Sequence, residues 1–298
     1  MRIASNTVSD SIIRQIQQLT TDQAKLQLEV STGRRITQPE DDPAAVGRVL
    51  NLQSEQRRLA QYQTNASRAM TLVETSYSGL QGLKKVSDRA GELATLGSGA
   101  LDATAMQTYG SEVDQLLEQA LQLANSTSGN DYLYGGTVTD KPPFVATRDT
   151  NGKITSITYQ GNLSQSAIPL SEATSVTPTT SGTTNTGIGG FLDNLISLRD
   201  HLQASDATSV RADQGSLATS EDNLIASMAE MGGMQSRIEA AQAQQGDRVS
   251  SVSKLVSDES SIDMPTTIVK LNQTTTAYQA ALASASKIMN LSLLDYLK

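Results

Sequence analysis

Residues 43–80, PAAVGRVLNLQSEQRRLAQYQTNASRAMTLVETSYSGL, place Ala45, Leu52, Leu59, Ala66, Val73 and Leu80 seven residues apart without a gap. Val49 and Leu83 fall on the companion row. A 3.5-residue apolar period is the seam of one helix laid along another, narrower than the face a compact core requires. The preceding Asp41-Asp42-Pro43 is a helix start: an aspartate can accept from orphan N–H groups, and proline at the first helical position has its φ already set. The pattern predicts one helix over 43–96, about 80 Å long at 1.5 Å per residue.

Working outward, residues 8–30 read as a second amphipathic helix. Ile12, Leu19 and Leu26 form one row and Ile16 and Val30 the other, with Gln23 where an apolar residue is expected. Thr32-Gly33 ends it, glycine being the residue most easily placed beyond a helix C-terminus. Residues 104–127 give a further helix carrying Val113, Leu116, Leu117, Ala120, Leu121 and Ala124 on one side. The composition then turns to Gly, Thr, Ser, Asn and Pro over 128–190. Ile154–Tyr159 and Ala167–Leu170 read as strands among turn signals such as Asn151-Gly152 and Gly161-Asn162, and 174–187 reads as an exposed loop. Helix resumes at Phe191–Leu202. Val210, Leu217, Leu224, Met231 and Ile238 repeat at seven and reach Val252 past a polar Gln245. The last helix starts near Pro265, with Met264, Leu271, Tyr278 and Ala285 on one row, Ile268, Leu282 and Met289 on the other, and Thr275 interrupting.

The expected fold is mainly α. N- and C-terminal segments form an elongated antiparallel bundle or coiled coil, with a small β-rich insert at its tip. The expected divisions are an assembly helix over 1–42 paired with another over 262–298, rod helices over 43–127 returning over 191–261, and the insert over 128–190. The seams near both ends are thin, so these segments are expected to gain order by packing on neighbouring subunits. The residues expected to carry that packing are Ile12, Ile16, Leu19, Leu26, Leu271, Leu282, Met289 and Leu294.

Composition narrows the chemistry. Among 298 residues only 3% are aromatic and tryptophan is absent, which argues against a thick globular core. The net charge of −8 opposes nucleic acid and anionic membrane as partners, since both require a basic surface. The absence of cysteine removes disulfides and thiolate chemistry, and a single histidine, His201, makes an ordinary zinc site improbable. No run reaches the roughly 18 apolar residues of a membrane span, so no membrane insertion is expected. The opening MRIASNTVSDSIIRQ lacks the apolar core of a cleaved secretory signal, so any export is expected to take another route.

No motif points to catalysis or to a cofactor. Gly135–Pro142 lacks the second glycine and the Ser/Thr of a phosphate loop, and Gly187-Ile188-Gly189-Gly190 is too short for a dinucleotide fingerprint and reads as loop. Glu40-Asp41-Asp42 is better explained by helix capping than by metal binding. His201 sits near a helix end without a second ligand, and Arg34-Arg35 suits an acidic neighbour or helix-end carbonyls.

Met1-Arg2-Ile3, Ser31-Thr32-Gly33-Arg34-Arg35-Ile36, Asp41-Asp42-Pro43-Ala44-Ala45, Gln61-Tyr62, Asn65-Ala66, Arg89 and Glu92-Leu93-Ala94, with Gln279-Ala280-Ala281-Leu282 and Leu291–Leu297, resemble the two ends of bacterial flagellins. Within that family, Asp131-Tyr132-Leu133-Tyr134-Gly135-Gly136-Thr137, Pro142-Pro143-Phe144 and Tyr159-Gln160-Gly161 resemble the members that join hook to filament, with Tyr134 where phenylalanine is usual. The resemblance implies a secreted structural subunit of the extracellular flagellum, exported unfolded by the flagellar type III apparatus. It implies a homo-oligomeric ring with a hook-associated protein on the hook side and flagellin on the filament side. An export chaperone would cover the C-terminal helix, and no cofactor is implied. A short flagellin that builds the filament itself is the alternative. The Arg89/Glu92/Leu93 face resembles an innate-immune recognition patch of flagellins.

Overall fold

A computed structural model describes the backbone over residues 2–99 and 102–296, and the side chains over 10–99 and 102–287. The chain is mainly α, with its strands confined to the middle: α1 (Arg2–Thr32), α2 (Pro43–Gly99), α3 (Ala103–Ala124), β1 (Thr127–Ser128), β2 (Asp131–Tyr132), β3 (Phe144–Arg148), β4 (Ile154–Tyr159), β5 (Ile168–Pro169), β6 (Ser175–Val176), α4 (Gly182–Gln203), α5 (Ala207–Ser260) and α6 (Met264–Tyr296). Each sheet is one antiparallel pair: β1 with β2, β3 with β4, β5 with β6. The chain forms two units, one of residues 1–58 and 248–298, the other of residues 59–247.

The 59–247 unit holds the core. In α2 the buried positions are Ala66, Ala69, Val73, Ser76, Leu80, Leu83, Ser87, Ala90 and Ala94, alternating three and four residues apart as a coiled-coil seam requires. Val86 and Leu93 add a further buried row, so this stretch of α2 is covered more broadly than one partner helix could cover it. Facing it, α5 buries Val210, Leu217, Leu224, Met231 and Ile238. The two helices run antiparallel here, with Lys84 paired to Glu221 and Arg211 reaching the Ser98 carbonyl. To the same core α3 supplies Val113, Leu117, Ala120, Leu121 and Ala124, and α4 supplies Ile188, Phe191, Leu192, Leu195, Leu198 and Leu202. Burying each such leucine fully contributes about 1.5–3 kcal/mol. The hairpin β3–β4 lies on α4, and its Phe144 and Ile154 join the same core.

Polar seam positions in α5 have specific partners. Asp213, Ser220 and Ser227 recur at seven residues and bond to His201, Asn194 and Thr184 of α4 at 2.7, 2.9 and 3.0 Å. Gln245, the polar break in the heptad row, is buried and donates to the Leu170 carbonyl at the end of β5, while Asn65 of α2 donates to the Pro169 carbonyl. An unpaired buried polar group costs about 1–3 kcal/mol. These pairs therefore fix α4 and β5 in one register on α5 and α2.

The helical content around 180–190 exceeds the sequence reading. Residues 174–187 do not form one exposed loop: Ser175–Val176 is a strand, and α4 begins at Gly182, taking in Gly187, Gly189 and Gly190. Ser181 caps it by accepting from the Thr184 N–H at 3.2 Å, and Thr180, Thr184 and Asn185 are buried. Glycine in a helix costs about 1 kcal/mol, and burial of Ile188, Phe191 and Leu192 outweighs it. The motif-like Gly135–Pro142 is a turn, with Gly136 at φ +71° against the Asn162 backbone. Leu93 is fully buried and Arg89 is engaged with Glu112 and Glu92 at 2.7 Å each, so the expected Arg89/Glu92/Leu93 face does not present its leucine.

Candidate assembly interface

In the unit of residues 1–58 and 248–298 two helix breaks are stitched together. Gly33, at φ +69°, closes α1 through its N–H to the Glu29 carbonyl at 2.8 Å. The chain then pairs with the break between α5 and α6: Arg35 N–H donates to the Ser260 carbonyl at 2.7 Å, and Ile262 N–H to the Gly33 carbonyl at 3.1 Å. The Asp41 carboxylate accepts from the Thr37 N–H (3.0 Å), the Thr37 hydroxyl (3.1 Å), the Gln38 N–H (3.0 Å) and Lys25 Nζ (2.7 Å). The Lys25 hydrogen bond, followed by those from the Gln38 and Thr37 backbone, holds its pKa well below the usual carboxylate range. Asp42 caps α2, accepting from the Ala45 N–H at 3.0 Å, and that bond lowers its pKa. The acidic triplet is thus a turn-and-cap device, and among the described residues no group of three or more His, Asp or Glu side chains is placed to hold a metal.

From these breaks α1 runs antiparallel along α6. Leu26 and Glu29 lie beside Ile262–Thr267, and Gln23 donates to Thr275 at 3.4 Å. The α1 positions Ile12, Ile16, Leu19, Gln23, Leu26 and Val30 are all half-buried. Among the described residues, the covered positions of α6 are Thr267, Leu271, Thr274, Thr275, Tyr278, Ala281 and Ala285, of which only Thr267 is fully buried. Of the residues expected to pack, Ile12, Ile16, Leu19, Leu26 and Leu271 therefore lie along the α1–α6 pair. Leu282 is 42% exposed in the lone chain, on a row with the exposed Met264 and Ile268. Met289 and Leu294 lie outside the residues whose side chains are described.

The imbalance between the two units is the informative quantity. Among the described residues, the only fully covered apolar side chains of this unit are Ala45 and Val252. Yet among the described residues it exposes Ile13, Leu28, Leu50, Leu255, Met264, Ile268, Val269 and Leu282, twice as many large apolar side chains as the larger unit, which exposes Leu96, Val145, Leu163 and Ile225. Its cross-helix ion pairs, Arg48–Glu259 and Arg248–Glu55, are solvent-exposed and screened, so they add little. A helix pair with half-covered seams and a row of uncovered large side chains is suited to further helices packing on it. The sequence reading put Met264, Ile268 and Leu282 on the apolar rows of the last helix and did not mark Thr267, Thr274 and Ala281, which are covered.

Comparison with known proteins agrees with this geometry. Residues 3–139 match the bacterial flagellin N-terminal helical region. The chain is 24% identical over 319 aligned positions to flagellar hook-associated protein 3 of Escherichia coli (strain K12), covering 100% of both chains. It is 29% identical over 165 residues to flagellar hook-associated protein 3 of Salmonella typhimurium, a match covering 54% of this chain and about half (51%) of that protein. Among solved structures, a putative flagellar hook-associated protein from Vibrio parahaemolyticus superposes with TM-score 0.60 at 18% identity, covering 74% of this chain and 100% of that one. FlgL of Bacillus cereus superposes with TM-score 0.60 at 19% identity, covering 70% and 99%. Both show the same fold.

Proposed function

We propose, from the premise that this chain is homologous to flagellar hook-associated protein 3, that it is a structural subunit of the extracellular bacterial flagellum and forms the junction between hook and filament. The role is mechanical, and no catalytic group takes part. The observation that carries the reading is the unit of residues 1–58 and 248–298, whose large apolar side chains stay uncovered in a lone chain; the full-length similarity to the E. coli protein supports it. In this reading subunits form a homo-oligomeric ring, packing through Ile12, Ile16, Leu19, Leu26, Leu271, Leu282, Met289 and Leu294. A hook-associated protein lies on the hook side and flagellin on the filament side. Export is in the unfolded state, with a chaperone covering α6 until release; chains with uncovered apolar rows would otherwise associate early.

Deletion of the gene tests the role. The mutant should retain hooks by electron microscopy, lack attached filaments, and release monomeric flagellin into the medium. Normal filaments on the mutant would overturn the reading. Purified protein that grows long filaments on seeds would instead favour a short flagellin.

A further inference from the structure

We propose that successive copies of this chain dock head to tail through opposite faces of the α2–α5 pair, Leu255 and Asp258 of one copy entering an apolar recess beside Arg34 on the next. The proposal rests on the ring-forming reading above and names a contact that reading leaves open.

The recess lies where the α1–α2 turn folds over α2 and α5. Ile36 and Pro39 of the turn, Val46, Val49 and Leu50 of α2 and Val256 of α5, together with the polar Thr37, Gln38, Gln53 and Ser260, line a half-open recess of about 240 Å³. A cavity of about 150 Å³ admits benzene, so this space takes a leucine side chain. Leu50 at its edge is 57% exposed, the least covered large apolar side chain among the described residues of this unit. At its lip stands Arg34, exposed and without a side-chain hydrogen bond or ion pair among the described residues, whereas Arg35 beside it is engaged with Asp42 and the Glu259 carbonyl. The recess therefore offers apolar side chains from the turn and both helices, and one uncommitted cation.

The opposite face supplies the complement. At 100° per residue, Val46, Val49 and Leu50 lie to one side of the buried Ala45, and Arg48 and Glu55 to the other. On α5, Val256 and Ser260 lie to one side of the buried Val252, and Leu255 and Asp258 to the other. The pairs Arg48–Glu259 and Glu55–Arg248 close that second face. Beside them Leu255 is 45% exposed, and Asp258 is exposed with no partner among the described residues. Leu255 and Asp258, three apart on a helix, project together. One face thus carries a leucine and an unpaired carboxylate, the other a leucine-sized recess and an unpaired guanidinium.

The two faces decide how copies meet. A two-fold contact through the recess would set Arg34 against Arg34 and leave Leu255 uncovered. Joining unlike faces satisfies both, and heterologous contacts of this kind generate rings or helical arrays.

The chain's lack of cysteine allows a direct test. In cells lacking the gene and expressing Leu50→Cys together with Leu255→Cys, oxidation of intact flagella should give cross-linked ladders of this chain. Leu50→Cys alone should react with a maleimide at least tenfold more slowly in flagella than in purified monomer, while Leu163→Cys in the other unit reacts alike in both. In an otherwise wild-type background, Arg34→Asp and Asp258→Arg should each lose filaments, and the two together should regain them. Attached filaments in which the Leu50→Cys thiol is labelled as fast as in monomer, with no ladder from the double variant, would overturn the docking while leaving the junction role intact. Filaments retained without the gene would instead overturn the junction role itself. Failure of the charge exchange to restore filaments, with each variant secreted normally, would remove the Arg34–Asp258 pairing.

Discussion

Replacing Gly79 by alanine puts a methyl group where the fold has none to spare. A Cβ at this position would lie 2.3 Å from Tyr134 Oη and 3.3 Å from its Cζ. Tyr134 cannot yield easily: it is fully buried and its hydroxyl donates to the Ser76 carbonyl at 2.9 Å. Overpacking of this kind costs about 1–3 kcal/mol, and displacing the hydroxyl forfeits a further 0.5–1.5 kcal/mol or so. The helix gains roughly 0.5–1 kcal/mol from exchanging Gly for Ala. The balance is destabilisation by about 0.5–4 kcal/mol. Gly91, on the same helix with nothing within 4 Å of its would-be Cβ, keeps only the gain, so Gly91→Ala should stabilise by about 0.5–1 kcal/mol. Tyr134→Phe should cost about 1 kcal/mol alone yet relieve Gly79→Ala, giving a coupling near 1 kcal/mol in the double-mutant cycle. Urea unfolding of the five chains (wild type, the three single variants and the Gly79→Ala/Tyr134→Phe double) followed by far-UV circular dichroism measures this. Equal signs for the two alanine variants, or additive effects in the cycle, would refute the packing argument.

Three further outcomes follow from the same coordinates. Leu117→Ala, in the covered core, should lower unfolding free energy by about 2–5 kcal/mol, whereas Leu282→Ala should change the monomer by under about 0.5 kcal/mol while impairing filament retention; calorimetry and motility assays separate the two. Asp41 has a depressed folded-state pKa, so its contribution to the turn is complete above the unfolded value near 4. That contribution is lost only as pH falls through the lower folded value, and Asp41→Asn should weaken the pH dependence of Thr37 and Gln38 amide exchange in acid. Arg199 is 1% exposed and bonded to Asp114 and Asp200 at 2.9 Å each; Arg199→Lys, which keeps the charge but loses the fork, should still cost about 1–3 kcal/mol by denaturant titration.

What could be read from the sequence was whatever local periodicity encodes. The heptads of α2 and α5 set which side chains are buried from Ala66 to Ile238, and Asp42-Pro43 set where α2 begins, because both signals act within a few residues. Strand Ile154–Tyr159 was legible from its β-branched run and the Asn151-Gly152 turn. The start of α4 was not, since its glycines argue against helix locally and only the distant core around Phe191 outweighs them. The partners of Asp213, Ser220, Ser227 and Gln245 were equally hidden: each polar break reads as a defect until α4 or β5 supplies the other half of the bond. On α6 the apolar rows did not mark Thr267, Thr274 and Ala281, whose small side chains are covered, while Met264, Ile268 and Leu282 are uncovered in the lone chain.

The central claim is that α1 and α6 pair within one chain but hold that pairing only weakly until neighbouring copies cover them. Amide hydrogen exchange on a verified monomer and on assembled flagella tests it most directly. The account predicts that Leu19 and Leu271 exchange with little protection in the monomer, that Leu117 and Leu195 exchange only with global opening, and that assembly protects all four. Protection at Leu19 in the lone chain equal to that at Leu117 would contradict it.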